Sequence, residues 1–156
     1  MATKAPVKKA NTDNRVIEHL NVQVANWSVM YMKLHHFHWY VKGPNFFSLH
    51  VKFEELYDEA TLILDELAER VLTIGGKPLS TLKEHLAQAT IGEAKGGEST
   101  EQMVKAIIAD FEQLSDEAGQ LADLSEEAGD KSTADMLIGR QEWIQKSVWM
   151  LKAYLG

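Results

Sequence analysis

At 156 residues, with 45% hydrophobic and 25% charged side chains, the chain has the size and composition of one globular domain with its own core. It has no cysteine, which excludes disulfides, thiolate nucleophiles and cysteine-based zinc or iron–sulfur sites, so any metal must be held by His and carboxylates. A formal net charge of −7 argues against a body that binds nucleic acid on its own surface, and no apolar run approaches the roughly 18 residues of a membrane span.

The chain starts MATKAPVKKANTDNR, where Lys4, Lys8, Lys9 and Arg15 stand against Asp13 alone. This polar, basic stretch predicts a flexible tail over residues 1–13 ahead of an acidic body over 14–156. It lacks the apolar segment of a secretory signal, so a cytoplasmic protein is the default expectation. From Ile17, the positions Leu20, Val24, Trp27, Tyr31 and Leu34 recur at alternating steps of three and four. That spacing predicts one long amphipathic helix ending near Tyr40, before Gly43-Pro44. A second stripe runs through Leu49, Phe53, Leu56, Ala60, Ile63, Leu67, Val71 and Ile74, then stops at Gly75-Gly76, where glycine supplies a left-handed cap. After Pro78, the Thr81-x-x-Glu84 capping box predicts a short helix over about 81–89. A Gly-rich loop follows, and Ser99-x-x-Gln102 opens a third long helix with Val104, Ile107, Phe111, Leu114, Ala118 and Leu121 inward. The acidic turn SEEAGD leads to a fourth, with Leu137, Ile144, Val148, Leu151 and Leu155 on its apolar side. Four long helices and one short one, with no strand pattern, predict an all-α four-helix bundle. The stretch from Gly76 to Gly97 is long enough for the crossover of ferritin-like bundles, with the short extra helix inside it, between helices 2 and 3.

Chemistry concentrates in LHHFHWYVKGPNFFSLHVKFEEL, residues 34–56, where His35, His36 and His38 end the first helix and His50 begins the second. On a helical wheel with Leu49 at zero, the second helix keeps its core stripe within about 40°, while His50, Glu54, Asp65 and Glu69 fall at about 100°, 140°, 160° and 200°. These four lie on the side turned away from the bundle's own core. A solvated polar face is the plain alternative. Against it, Val51, Leu62, Ala68 and Leu72 share that side and make it too apolar for water alone, so a second protein surface is expected to cover it. Asp65 and Glu69 are one turn apart and can hold one hard cation between them. His50 and Glu54 lie about 22 Å and 16 Å from Asp65 along the axis, at 1.5 Å per residue. One ion with ligand bonds of about 2 Å cannot span that gap. His38 lies beside His50, at the same end. The two halves meet only if a second copy packs its own second helix antiparallel across a two-fold axis, giving two equivalent sites per dimer. No Glu is followed by His at the third position after it, so the Glu-x-x-His pairs of di-iron centres buried within one bundle are absent.

The strings HFHWYVKGPNFFSLHVKFEELYDEA, DELAERVLTIGGKPLSTLKEH and VWMLKAYLG closely resemble the Dps mini-ferritins, over essentially residues 14–156. The His38-Trp39 pair, His50-x-x-x-Glu54 and Asp65-x-x-x-Glu69-Arg70 occur in order. Glu54 stands where the family often has Asp, which lengthens the reach of an oxygen ligand without removing it. The resemblance implies a hollow dodecamer built from two-fold dimers that oxidises Fe(II), preferentially with hydrogen peroxide, and stores Fe(III) inside. It implies two irons per ferroxidase centre at the dimer interface. His38 would act with Asp65 and Glu69 of the other chain at the principal iron site, and His50 and Glu54 would shape the second, weaker one. Hard carboxylate oxygens favour Fe(III) over Fe(II), and a neutral imidazole completes such a set, so acid is expected to weaken binding.

The cluster Glu126, Glu127, Asp130 and Asp135 has two readings. Asp130 can N-cap the last helix, and acidic turns are commonly just solvated. In similar proteins this region lines pores at three-fold axes, which makes Glu126 and Asp135 candidates for an iron-entry pore. Trp39 is expected to pack in the core or else to take a redox role, His35 to pack or hydrogen-bond at an interface, and His36, His19 and His85 to face solvent. A second function, DNA compaction through the lysine-bearing tails, is the alternative, since many weakly basic tails on one assembly can bind DNA multivalently at low salt.

Overall fold

The computed structural model describes residues 13–156, and the expected tail up to residue 12 lies outside them. Five helices follow in order: α1 (Asn14–Tyr40), α2 (Phe46–Thr73), α3 (Leu82–Gln88), α4 (Thr100–Glu127) and α5 (Lys131–Leu155). No strand occurs among the described residues, and none of their helices is long and apolar enough to cross a membrane.

The boundaries follow from local chemistry. Asp13 caps α1 by accepting from the Arg15 amide. Thr81 with Glu84, and Ser99 with Gln102, form the two reciprocal capping boxes read from the sequence. At the end of α2, Gly75 adopts φ +90°, the Gly75 amide donates to Leu72 O and the Gly76 amide to Val71 O. That pair of bonds is a Schellman motif, which stops the helix while satisfying its last carbonyls. Gly129 does the same for α4, and the next residue, Asp130, accepts from the Thr133 amide to start α5.

α1 and α2 form one helical hairpin and α4 and α5 another. The start of α4 sits at the end of α1, where the Thr100 hydroxyl donates to Lys42 O. α1 and α4 are therefore antiparallel, which leaves α2 and α4 parallel and forces the chain between them to travel the length of the bundle. α3 is the middle of that crossover and packs on α1. The core fills from the inner stripes of all four long helices. α2 buries Leu49, Phe53, Leu56, Ala60, Ile63, Leu67 and Val71, and Phe37, Phe53 and Phe111 are fully enclosed. Trp27 and Trp143 flank Phe111 at centroid distances of 5.9 and 5.8 Å.

α1 buries more than its predicted stripe, because it faces both the core and the crossover. Its extra buried positions include the polar Gln23, Asn26 and Lys33. Asn26 accepts from the Thr90 and Ile91 amides, and its side-chain amide donates to the Thr90 hydroxyl and to Glu117. Lys33 reaches Gly92 O at 2.9 Å and Asp110 at 2.7 Å. Burial raises the Asp110 carboxyl above its usual range, and the Lys33 ammonium only partly offsets it. His85, expected at the surface, is buried between α3 and α1: its Nε2–H donates to Leu79 O, and its Nδ1 accepts from the Ser28 hydroxyl. The helix wheel of so short an element could not reveal these partners, one on α1 and one in the stretch before α3.

Candidate metal centre

The α1–α2 turn brings together the histidines that end one helix and begin the next. His38 is buried and His50 half-buried, and their rings stack at 3.7 Å with planes 17° apart. Each ring is fixed by the other residue's backbone. His38 Nδ1 donates to His50 O at 2.7 Å, and His50 Nδ1 donates to His38 O at 2.8 Å. Both bonds require the proton on Nδ1, which leaves Nε2 of each neutral ring with a free lone pair, the form a metal ion needs. The carbonyl of His38 lies in the last turn of α1, where no later helical amide donates to it, so the bond from His50 Nδ1 also satisfies a helix end.

Glu54, one turn beyond His50, is exposed, as are Asp65 and Glu69 toward the far end of α2. Along the same side Val51, Leu62 and Leu72 are 51%, 58% and 59% exposed. The predicted back face of α2 is thus bare in a single chain, with apolar side chains interleaved among carboxylates. The structure brings His38 and His50 together and leaves Asp65 and Glu69 apart from them. Among the described residues, no three His, Asp or Glu side chains of the one chain gather to hold a metal.

Other expectations resolve differently. Trp39 does not pack in the core. It is 62% exposed, because the turn of α1 that points Phe37 and His38 inward carries Trp39 outward. His35 packs as expected, stacked on Tyr57 at 3.7 Å with its Nδ1 donating to Tyr31 O. His36 is half-buried rather than free in solvent, with Nε2 3.8 Å from Glu98, and His19 is exposed. Tyr57 was not singled out from the sequence, although it lies three residues after Glu54 and so on the same side of α2. Its ring meets His38 edge-on at 5.3 Å and 88°. Burial raises the Tyr57 phenol above its usual value, and the charges of Glu54 and Asp58 push in the same direction, so it stays neutral.

Near the α4–α5 turn, Glu126 and Asp135 are exposed. Asp130 caps α5 and pairs with Arg70 at 2.8 Å. Burial alone would raise its carboxyl, but bonds from the Thr133 hydroxyl and amide and the Arg70 guanidinium hold it below the ordinary aspartate value. On the α2–α5 side, Arg140 bridges Glu59 and Glu66 at 2.7 and 2.5 Å.

A four-helix bundle with this crossover and a histidine–carboxylate face matches a known domain class: the model of the ferritin-like domain fits residues 17–156. Among curated proteins, general stress protein 20U of Bacillus subtilis is 52% identical over 142 residues, covering 91% of this chain and 98% of its own. DNA protection during starvation protein 2 of Bacillus anthracis is 50% identical over 144 residues, covering 92% and 99%. The crystal structure of Dps from Staphylococcus aureus superposes with a TM-score of 0.91 at 52% identity, over 93% of this chain and 97% of that one. The chain belongs to the Dps family of ferritin-like proteins, the mini-ferritins.

Proposed function

We propose that this protein is a ferroxidase and iron-storage mini-ferritin that oxidises Fe(II), preferentially with hydrogen peroxide, at dinuclear centres on a two-fold dimer interface. Fe(III) is then held inside a hollow dodecamer, in the cytoplasm. The observation that carries the reading is His38, at the end of α1, stacked on His50, which stands on the side of α2 that also bears Asp65 and Glu69, with Nδ1 of both rings engaged by backbone and Nε2 left for a metal. A second copy laid antiparallel on that side covers Val51, Leu62 and Leu72 and carries its carboxylates to the first copy's histidines. His38 then serves one ion with the other chain's Asp65 and Glu69, while His50 and Glu54 serve the second.

Two ions, not one, fit the ring geometry. A metal bound by imidazole lies in the ring plane about 2 Å from nitrogen. Planes stacked 3.7 Å apart and tilted by only 17° do not converge within that distance. Two Fe(II) at such a pair supply both electrons that one peroxide takes: 2 Fe2+ + H2O2 + 2 H+ give 2 Fe3+ + 2 H2O. No one-electron hydroxyl radical needs to leave the site. The carboxylates stabilise the harder Fe(III) product and so favour the step. Glu126 and Asp135 are the proposed pore residues, whose negative field would concentrate Fe(II), an effect that added salt screens.

Fe(II) oxidation by peroxide and by oxygen, followed for the native protein, His38→Ala and Asp65→Ala, tests the reading. Both variants are expected to lose most of the peroxide-driven rate. Native rates in both variants would reject the assignment. The sizing of single particles by electron microscopy tests the shell, since an isolated dimer leaves the ferric product no enclosure.

DNA protection through the tail is the second reading, favoured by Lys4, Lys8 and Lys9 ahead of an acidic body. Deletion of residues 1–12 should abolish a low-salt gel shift, and an unchanged shift removes the tail from consideration.

A further inference from the structure

Six aromatic and imidazole rings form one continuous row across the α1–α2 seam: Tyr31, His35, Tyr57, His38, His50 and Phe46. Successive centroids lie 4.4, 3.7, 5.3, 3.7 and 4.7 Å apart. His38 is held in this row from two directions. His50 covers its face, and the edge-on contact with Tyr57, at 88°, closes another side. Tyr57 in turn cannot swing away, because His35 lies flat against it at 20° between planes. His35 is pinned by its 2.8 Å bond to Tyr31 O and by the tilted Tyr31 ring.

The hydrogen bond from His38 Nδ1 to His50 O sets the tautomer, but one bond leaves the ring free to rock about it. We propose that Tyr57, backed by His35, is a positioning residue for the metal centre: its ring is the stop that holds the His38 imidazole at the angle from which Nε2 meets the ion. The inference rests on the reading of His38 as a ligand and adds to it a residue that touches no metal. The partners that orient a ligating histidine typically change metal affinity by about 10–100-fold when removed. What acts is the flat ring rather than the phenol oxygen, since the contact with His38 is made by ring against ring.

The test uses the full chain, titrated anaerobically with cobalt(II) chloride, whose visible absorption reports binding without any turnover. Tyr57→Leu is expected to weaken cobalt binding tenfold or more and to broaden or shift its d–d bands. Tyr57→Phe, which keeps the ring, is expected to bind within about twofold of the native protein. His35→Leu, which removes the backing but not the stop, is expected to give an intermediate loss and serves if Tyr57→Leu does not fold. Melting temperatures run in parallel separate positioning from packing: an affinity lost in the Leu variant and restored in the Phe variant, at matched stability, supports the stop. Native affinity in folded Tyr57→Leu or in His35→Leu, with His38→Ala unable to bind, overturns the proposal and leaves the site intact. Full binding by His38→Ala overturns the site reading itself.

Discussion

Glu117 on α4 is the knot that ties the exit of the crossover to the bundle, and its removal has a calculable effect. Its carboxylate accepts from Gln23 Nε2 at 2.6 Å, Asn26 Nδ2 at 2.9 Å, the Thr90 hydroxyl at 2.8 Å and Gln113 Nε2 at 2.8 Å. Thr90 and Gln113 are exposed, so in Glu117→Ala water takes over their bonds. Gln23 and Asn26 are buried, and a buried donor left unpaired costs about 1–3 kcal/mol. Asn26 keeps the Thr90 hydroxyl as acceptor, which puts its share at the low end. The sum is about 3 kcal/mol. A domain of this length unfolds with an entropy of about 0.3 kcal/mol/K, so the melting temperature should fall by roughly 10 °C. Calorimetry at one fixed protein concentration measures it, since assembly also shifts melting. Hydrogen exchange gives the local view: the Thr90 and Ile91 amides, which donate to Asn26 Oδ1 at 2.7 and 3.3 Å, should lose protection first. Glu117→Gln, which keeps one acceptor oxygen, should lose about half as much. Alanine favours a helix, so α4 itself is not weakened. A Glu117→Ala protein that melts within about 2 °C of the native one, with unchanged exchange at residues 90 and 91, would refute the reasoning.

Three further outcomes are expected. Gly76→Ala places a Cβ 2.7 Å from Ile17 Cγ2 and 2.9 Å from Val71 Cγ1, and should cost about 1–3 kcal/mol by thermal melting, while Gly92→Ala, with open space around it, should not. Phe111→Ala empties a fully enclosed place between Trp27 and Trp143 and should cost about 3–5 kcal/mol in urea unfolding. The Asp130 carboxyl titrates lower in the folded chain than in the unfolded one, so its contribution is present above the unfolded aspartate value near 4 and fades as pH falls through the folded one. Asp130→Asn, which still caps α5, should therefore melt lower than the native protein at pH 7, and the gap should close toward pH 3.

What could be read from the chain was what depends on near neighbours. The α2 stripe from Leu49 to Val71 is buried residue for residue, because a period of 3.6 is a property of the helix alone. Both capping boxes and the Gly75 cap involve residues within one turn of each other, and they too are found. The pairing of His38 with His50 followed from a tight antiparallel turn, and the bare back face of α2 from the wheel. Illegible were partners brought together only by the crossover. His85 looked like a surface residue because Ser28 belongs to another helix, and Lys33 gave no sign of Asp110 or Gly92 O. Trp39 was misjudged for the opposite reason: a large aromatic suggested core, while the turn of α1 had already given the inward positions to its two predecessors. Tyr57 carried a local signal, its spacing from Glu54, but the edge it presents to His38 depends on the angle between α1 and α2.

His38 and His50 are each tethered to the other residue's main chain, not to its ring. Replacing one side chain strips the stacked cover from its mate but leaves the carbonyl that holds the mate's Nδ1 proton in place. A single replacement should then leave the remaining imidazole with its tautomer set and Nε2 open, and the double replacement should lose clearly more metal than either single one. The main chain at the turn thus carries the alignment of both proposed ligands, and either can be exchanged without unseating its neighbour.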